Sequence, residues 1–168
     1  MSNISIEVKP LTAEAFEPYG DVIHTDGGYL EINQGTCKRF HDLASIDIGE
    51  NDGRPLLNIF SATPRPRPIE VKLLERHPLS SQAFFPLDNK PYLVLVAATT
   101  EKIELGSLRA FLAHGRQGVN YKRGVWHHPL LAIDKETDFI VVDRGGDGEN
   151  CDEFFFPEDI NISIDYRC

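Results

Sequence analysis

The chain has 168 residues, 41% of them hydrophobic and 26% charged, with a formal net charge of -9. This length supports one domain with a real core, and the composition excludes a disordered segment or a fibre. The acidic balance excludes a general nucleic-acid surface, because phosphate binding draws its affinity from Lys and Arg.

Taken in order, residues 1–7 lack the basic region and apolar core of a signal peptide, and no apolar run reaches bilayer-spanning length. Residues 4–8 alternate apolar with polar side chains and predict a strand. Thr12 is a fitting N-cap for a short helix over 12–17, closed by Pro18. Residues 19–23 turn back into extended structure, and Gly27-Gly28 and Asn33-Gln34-Gly35 signal loops. Three cysteines, Cys37, Cys151 and Cys168, are odd in number and lack C-x-x-C spacing, so neither a disulfide framework nor a zinc knuckle is expected. The cytoplasm is the expected location.

In Arg39-Phe40-His41-Asp42-Leu43, period-two alternation sets Arg39 and His41 on one face of a strand, either as a solvated edge or as part of a site. Residues 56–62 form the next strand. Pro64, Pro66 and Pro68 exclude a central strand thereafter and leave Arg65 and Arg67 solvated. Residues 69–77 read as one strand, with Ile69, Val71 and Leu73 facing the core. The same register turns Glu75 and His77 inward, where unpaired burial costs roughly several kcal/mol, and Pro78 ends the strand. Residues 82–87, 107–112, 130–133, 137–143 and 160–164 are further strands. Residues 92–98, apolar nearly throughout and rich in Val, predict a strand buried on both faces. Phe154-Phe155-Phe156 is either an interface or a buried strand. Many short strands with little helix give a mainly β chain, a sandwich or barrel.

Within this frame Gly124-Val125-Trp126-His127-His128-Pro129 stands out, with the only Trp and two adjacent imidazoles between strand-like runs. A barrel mouth presents a nitrogen ligand or an acid/base group on such a turn. In an extended segment His128 points opposite to His127, and Trp126 is expected to serve packing in the core or at a dimer contact.

His77 with Gln82 four intervening residues later, and then Gly124-Val125-Trp126-His127, resemble the two motifs of cupins, small double-stranded β-helix (jelly-roll) barrels. In that register Glu75 stands where the first His is usual, His77 at the second, Gln82 at the Glu and His127 at the last His. Lys122 replaces the Pro of the second motif. A closer resemblance is carried by Arg39-Phe40-His41-Asp42-Leu43, Leu74-Glu75-Arg76-His77-Pro78-Leu79, Gln82-Ala83-Phe84, Gly118-Val119-Asn120-Tyr121, Val125-Trp126-His127-His128-Pro129-Leu130 and Asp143-Arg144-Gly145-Gly146. In this order, over most of the chain, these segments are similar to the ureidoglycolate lyase family of allantoin degradation.

The resemblance implies a cupin-like fold with a short N-terminal helix, one domain over residues 1–168, and cleavage of ureidoglycolate to glyoxylate and urea. That chemistry takes a proton from a hydroxyl and gives one to the departing ureido nitrogen. His127, His77 and Glu75 are the expected catalytic set. Either they hold a divalent metal as a two-His, one-carboxylate group, with nickel the family candidate, or one of them acts directly as base without metal. A substrate carboxylate calls for a bidentate arginine; Arg144, followed by two glycines, is the first candidate, with Arg39 and Arg109 behind it. Gln82 and Asn120 are candidates for reading the urea group. Family members are dimers, so a homodimer acting on a small molecule, with no nucleic acid or membrane partner, is expected. The rival readings are a metal-dependent dioxygenase or isomerase, and a module that binds a small acid without turnover.

Overall fold

A strand that is apolar on both faces must be covered on both sides, and Tyr92–Ala97 is that strand. In the computed structural model, which describes residues 2–99 and 101–166, all six of its residues are buried. Cys168 lies outside the described residues. Leu93, Leu95 and Ala97 pack on one side with Ile6, Ile69, Leu74, Leu108, Ile162 and Ile164. Tyr92, Val94 and Val96 pack on the other with Phe16, Phe84, Phe111, Val119, Phe139 and Val141. Burying a large aliphatic or aromatic side chain contributes about 1.5–3 kcal/mol, so these two clusters hold the molecule together as three layers.

The middle layer pairs Tyr92–Ala97 with Leu108–Ala113 and Leu131–Ala132, both antiparallel, and Leu108–Ala113 in turn with Val8–Pro10 in parallel. One outer layer is the antiparallel sheet Gly20–Ile23, Gly118–Tyr121, Gln82–Pro86, Thr137–Gly145, Arg54–Ala62, in that order. The other is Ser2–Ile6, Ile160–Ile164 and Ile69–Glu70. Two small pairs complete the strands, Leu73–Arg76 with Asp152–Phe155 and Leu30–Ile32 with Cys37–Arg39. The architecture is mainly β and cupin-like, with one short α-helix, Ala13–Phe16, capped by Thr12 Oγ1 accepting from Ala15 N–H at 3.1 Å. The sheets form an open sandwich, not the closed jelly-roll barrel expected. No helix among the described residues is long and apolar enough to cross a membrane.

Two sequence expectations change. The single strand over 69–77 is broken: Ile69–Glu70 joins Ile160–Ile164, while Leu73–Arg76 crosses to Asp152–Phe155. After the break Leu74, fully buried, is the core residue and Leu73 is only half-buried, so the apolar register does not run through. The expected strand over 39–43 stops at Arg39, and Asp42 at φ 54° turns the chain away. Phe154–Phe156 divides by alternation: Phe154 packs against Trp126 and Phe156, while Phe155 is 63% exposed.

Candidate active site

Alternation along Leu73–Arg76 sends Leu74 and Arg76 to one face and Glu75 to the other. On the first face Arg76 lies over the Trp126 ring, 4.7 Å from its centroid, which fixes Trp126 as a packing residue. Glu75 is set by a backbone bridge. Its N–H donates to His127 O at 2.8 Å and its carbonyl accepts from His127 N–H at 2.9 Å. The bridged residues share a face, and Glu75 Oε1 stands 3.4 Å from His127 Nε2.

His127 also bridges to Val96, so it links the Leu73–Arg76 pair to the central strand. Between the pairings Val96↔His127 and Leu93↔Leu131, three steps on one strand match four on the other. This bulge at residues 128–130 lets His127 face the site while Leu131 enters the opposite core cluster. The Tyr121 ring stacks on His127 with centroids 4.0 Å apart and planes at 9°. The turn before it needs a left-handed residue, which Gly124 supplies at φ 74°, and Gly124 N–H donates to His77 O at 2.9 Å.

His77, Glu75 and His127 each present a ligand atom, and these atoms lie within 4.8 Å of one another. His127 Nδ1 donates to Val125 O at 2.9 Å, which leaves the Nε2 lone pair facing the Glu75 carboxylate. His77 Nδ1 donates to Asn150 O at 2.7 Å, leaving Nε2 3.9 Å from Glu75 Oε1 and 3.0 Å from Gln82 Oε1. His127 Nε2 is buried with no hydrogen-bond partner. Two imidazole lone pairs converging on a carboxylate, one of them orphaned, are a donor set suited to a divalent cation.

Burial pushes the Glu75 carboxyl up, but the neighbouring His127, with His77 and His128, outweighs it and holds the group below the usual value. Burial holds His127 below the ordinary imidazole range, against the pull of Glu75. The Tyr121 phenol is driven up by burial and by the Glu75 charge, so it remains neutral. Of the three central groups, Glu75 lines an open hollow of about 410 Å³ shared with Phe60, Ser61, Ala62, Phe84, Pro129 and Leu130.

The sequence candidates separate clearly. Gln82 joins the triad. Asn120 does not: on Gly118–Tyr121, Val119 and Tyr121 face inward, and Asn120 on the other face donates to Asp21 Oδ2 and Ser45 O, each at 2.9 Å. Arg144 is buried, and its guanidinium donates to the carbonyls of Glu50, Asn51 and Asp147. Gly53 allows this, since a Cβ there would sit 2.4 Å from Arg144 Nε. Arg39 is exposed, and Arg109, also exposed, donates to Gly106 O and Leu108 O. His128 is buried outside the triad, its Nδ1 2.7 Å from Pro129 O.

Tyr121, Asp143 and Asn150 complete the surroundings and were absent from the sequence candidates. Alternation from Val119 would have marked Tyr121 as inward-facing; Asn150 acts through its backbone and leaves no sequence signal.

A family model described as Ureidoglycolate lyase matches residues 3–163. The chain is 54% identical over 166 residues to a ureidoglycolate lyase of Burkholderia mallei, covering 98% of this chain and 96% of that protein. It is 51% identical over 162 residues to a ureidoglycolate lyase of Pseudomonas paraeruginosa, covering 96% of both, and 49% identical to one of Stutzerimonas stutzeri, covering 96% of this chain and 95% of the relative.

Proposed function

The chain belongs to the ureidoglycolate lyase family, and on that premise we propose that it cleaves ureidoglycolate to glyoxylate and urea. The observation that carries the reading to particular residues is the convergence of Glu75, His77 and His127, with Glu75 lining an open hollow. The substrate is a carbinolamine derivative. Its hydroxyl loses a proton, the C–O bond becomes the glyoxylate carbonyl, the C–N bond breaks, and the ureido nitrogen gains a proton. No net proton is consumed.

In the arrangement without an ion, Glu75 is the group we assign to the hydroxyl proton, because its histidine neighbours favour the carboxylate and it is the member of the triad that lines the hollow. The same carboxyl then returns the proton to the departing nitrogen. His127, stacked on Tyr121 and tied to Glu75 through the backbone, holds the carboxylate in place. Gln82 offers its amide oxygen to the urea N–H groups. Phe60, Phe84, Pro129 and Leu130 give the hollow an apolar wall beside Glu75.

Glu75, His77 and His127 would hold a divalent ion, with nickel the family candidate; the orphaned His127 Nε2 supports that fit. When bound, such an ion lowers the pKa of the substrate hydroxyl and polarises its oxygens.

The same reading takes residues 1–168 as one catalytic domain, working in the cytoplasm as a homodimer. The dimer is supported by the edge strand Arg54–Ala62, where Leu57 and Ile59 are 75% and 58% exposed and lie beside Val142 and Ile140 on the outer sheet face. An open apolar edge of this kind is normally covered.

The test is urea release from ureidoglycolate, above the spontaneous rate, before and after chelation, with bound metal measured in the same sample. Urea release that survives without oxygen separates this reading from a dioxygenase. Binding of ureidoglycolate without urea release would overturn it in favour of a binding module.

A further inference from the structure

Gln82 is 94% buried by its strand, and its Oε1 lies 3.0 Å from His77 Nε2. This contact is unusual. With His77 Nδ1 donating to Asn150 O, Nε2 carries a lone pair, and the natural partner for it is the amide N–H of Gln82 rather than the oxygen. Something must turn the amide the other way. The pairing Val142↔Ala83, continued by one residue, sets Asp143 directly opposite Gln82 on the inward face. That register puts the Gln82 amide beside the Asp143 carboxylate, on the side away from His77. Asn58, which pairs with Val141, donates from Nδ2 to Asp143 Oδ1 at 3.1 Å.

We propose that Asp143 is a positioning residue: it accepts the Gln82 amide N–H and thereby keeps the amide oxygen, not the nitrogen, turned towards His77. A carboxylate accepts and never donates, so only one orientation of the amide satisfies Asp143, and that orientation leaves the amide oxygen facing the His77 lone pair. If the amide flipped, its N–H would cap His77 Nε2 and withdraw that ring from the triad. It would also replace an acceptor by a donor where a urea N–H has to bind. Asn58 holds Asp143 from the far side, so the polar chain runs from the sheet edge to the centre of the site.

The inference rests on the lyase reading of the site, and its test separates the two. Asp143→Asn keeps the shape but allows the flip. It is expected to lower kcat roughly 10- to 100-fold, as for the loss of an outer-shell partner, with the melting temperature little changed. In a Gln82→Ala background the same substitution should cost nothing further, because its effect runs through the missing amide. An equal loss in both backgrounds would overturn the proposal. Should Asp143→Asn fail to fold, the exchange Gln82→Glu with Asp143→Asn keeps one carboxylate and one amide and again turns an oxygen to His77. That pair should fold and recover turnover relative to Gln82→Glu alone, and no recovery would also overturn the proposal. Long-range 1H–15N spectra of the His77 ring in the full chain supply a readout independent of turnover: the Nε2 resonance shifts in Asp143→Asn and not in Asp143→Asn on Gln82→Ala. A wild-type chain that releases no urea sinks the lyase reading, while the His77 spectra still decide how Gln82 is held.

Discussion

Glu75 and His127 exchange both backbone hydrogen bonds, and the same bridge sets their side chains 3.4 Å apart. The carboxylate is therefore placed by main chain, not by its own side-chain bonds. Glu75→Gln should leave the bridge and the fold unchanged, as seen by circular dichroism, while removing the charge. Turnover is expected to fall by roughly 10²–10⁴, the usual worth of a positioned acid/base group, and bound metal should fall with it. Near-normal urea release from this variant would remove Glu75 from the chemistry.

Tyr121 offers a second separation, between packing and proton chemistry. Its ring covers His127, and its phenol stays neutral beside Glu75. Tyr121→Phe preserves the stack and is expected to retain most activity and stability. Tyr121→Leu removes it and should lower unfolding free energy by about 0.5–1.5 kcal/mol beyond the area lost, with a parallel fall in kcat. If Phe alone abolishes turnover, the hydroxyl takes part in proton transfer and the assignment to Glu75 is incomplete.

Acid sensitivity follows from His128. Burial, with Arg65 and His127 adding to it, pushes this imidazole down to about 4, against Pro129 O and Glu75. In the unfolded chain it takes a proton near pH 6.5, while in the folded chain it stays neutral down to about 4. The unfolded state binds more protons across that window, so stability is full above it and declines as pH falls through it. The shift corresponds to about 2–4 kcal/mol. His127, also held low, adds in the same direction; Asp143, raised by burial, works against it. Urea unfolding at pH 7 and pH 5 should show the loss, and His128→Asn should flatten it. An unchanged slope in that variant would place the sensitivity elsewhere.

What could be read in the sequence depended on how local the determining physics was. Thr12 and the all-apolar central strand act through their immediate neighbours, and both were legible. The inward turn of Glu75 was legible too, although the strand that carried the argument breaks after Glu70 and the buried residue is Leu74. The bulge at residues 128–130 depends on a pairing partner far along the chain, so no local pattern announces it; His128 is not among the three groups that converge. Asn120 and Arg144 have the right chemistry for a substrate. Their partners, the loops at Ser45 and Glu50–Asn51, fold back from distant parts of the chain, and no local pattern announces them.

The exposed edge strand makes the dimer testable. Leu57 and Ile59 lie on the outer face, away from the hollow that Phe60 lines. Light scattering is expected to give a dimer for the parent chain and a monomer for Leu57→Lys with Ile59→Lys. A dimer that persists would shift the interface to another face, Phe155 being an apolar group more exposed than Ile59.

Arg144 carries the last prediction, because two readings of it give opposite results. As a carboxylate partner it would affect KM. Its guanidinium, however, is turned back onto the carbonyls of Glu50, Asn51 and Asp147, three acceptors that would be left without it. The segment it fastens also carries Asp47 and Glu50, both paired to Arg123 two residues beyond Tyr121. Lys could reach one of these carbonyls but not the set, since it lacks the planar fork. Arg144→Lys should therefore cost about 1–3 kcal/mol of stability, as expected when buried acceptors lose their donors, with KM for ureidoglycolate near the parent value once the protein is folded. A large rise in KM at unchanged stability would restore Arg144 to the substrate.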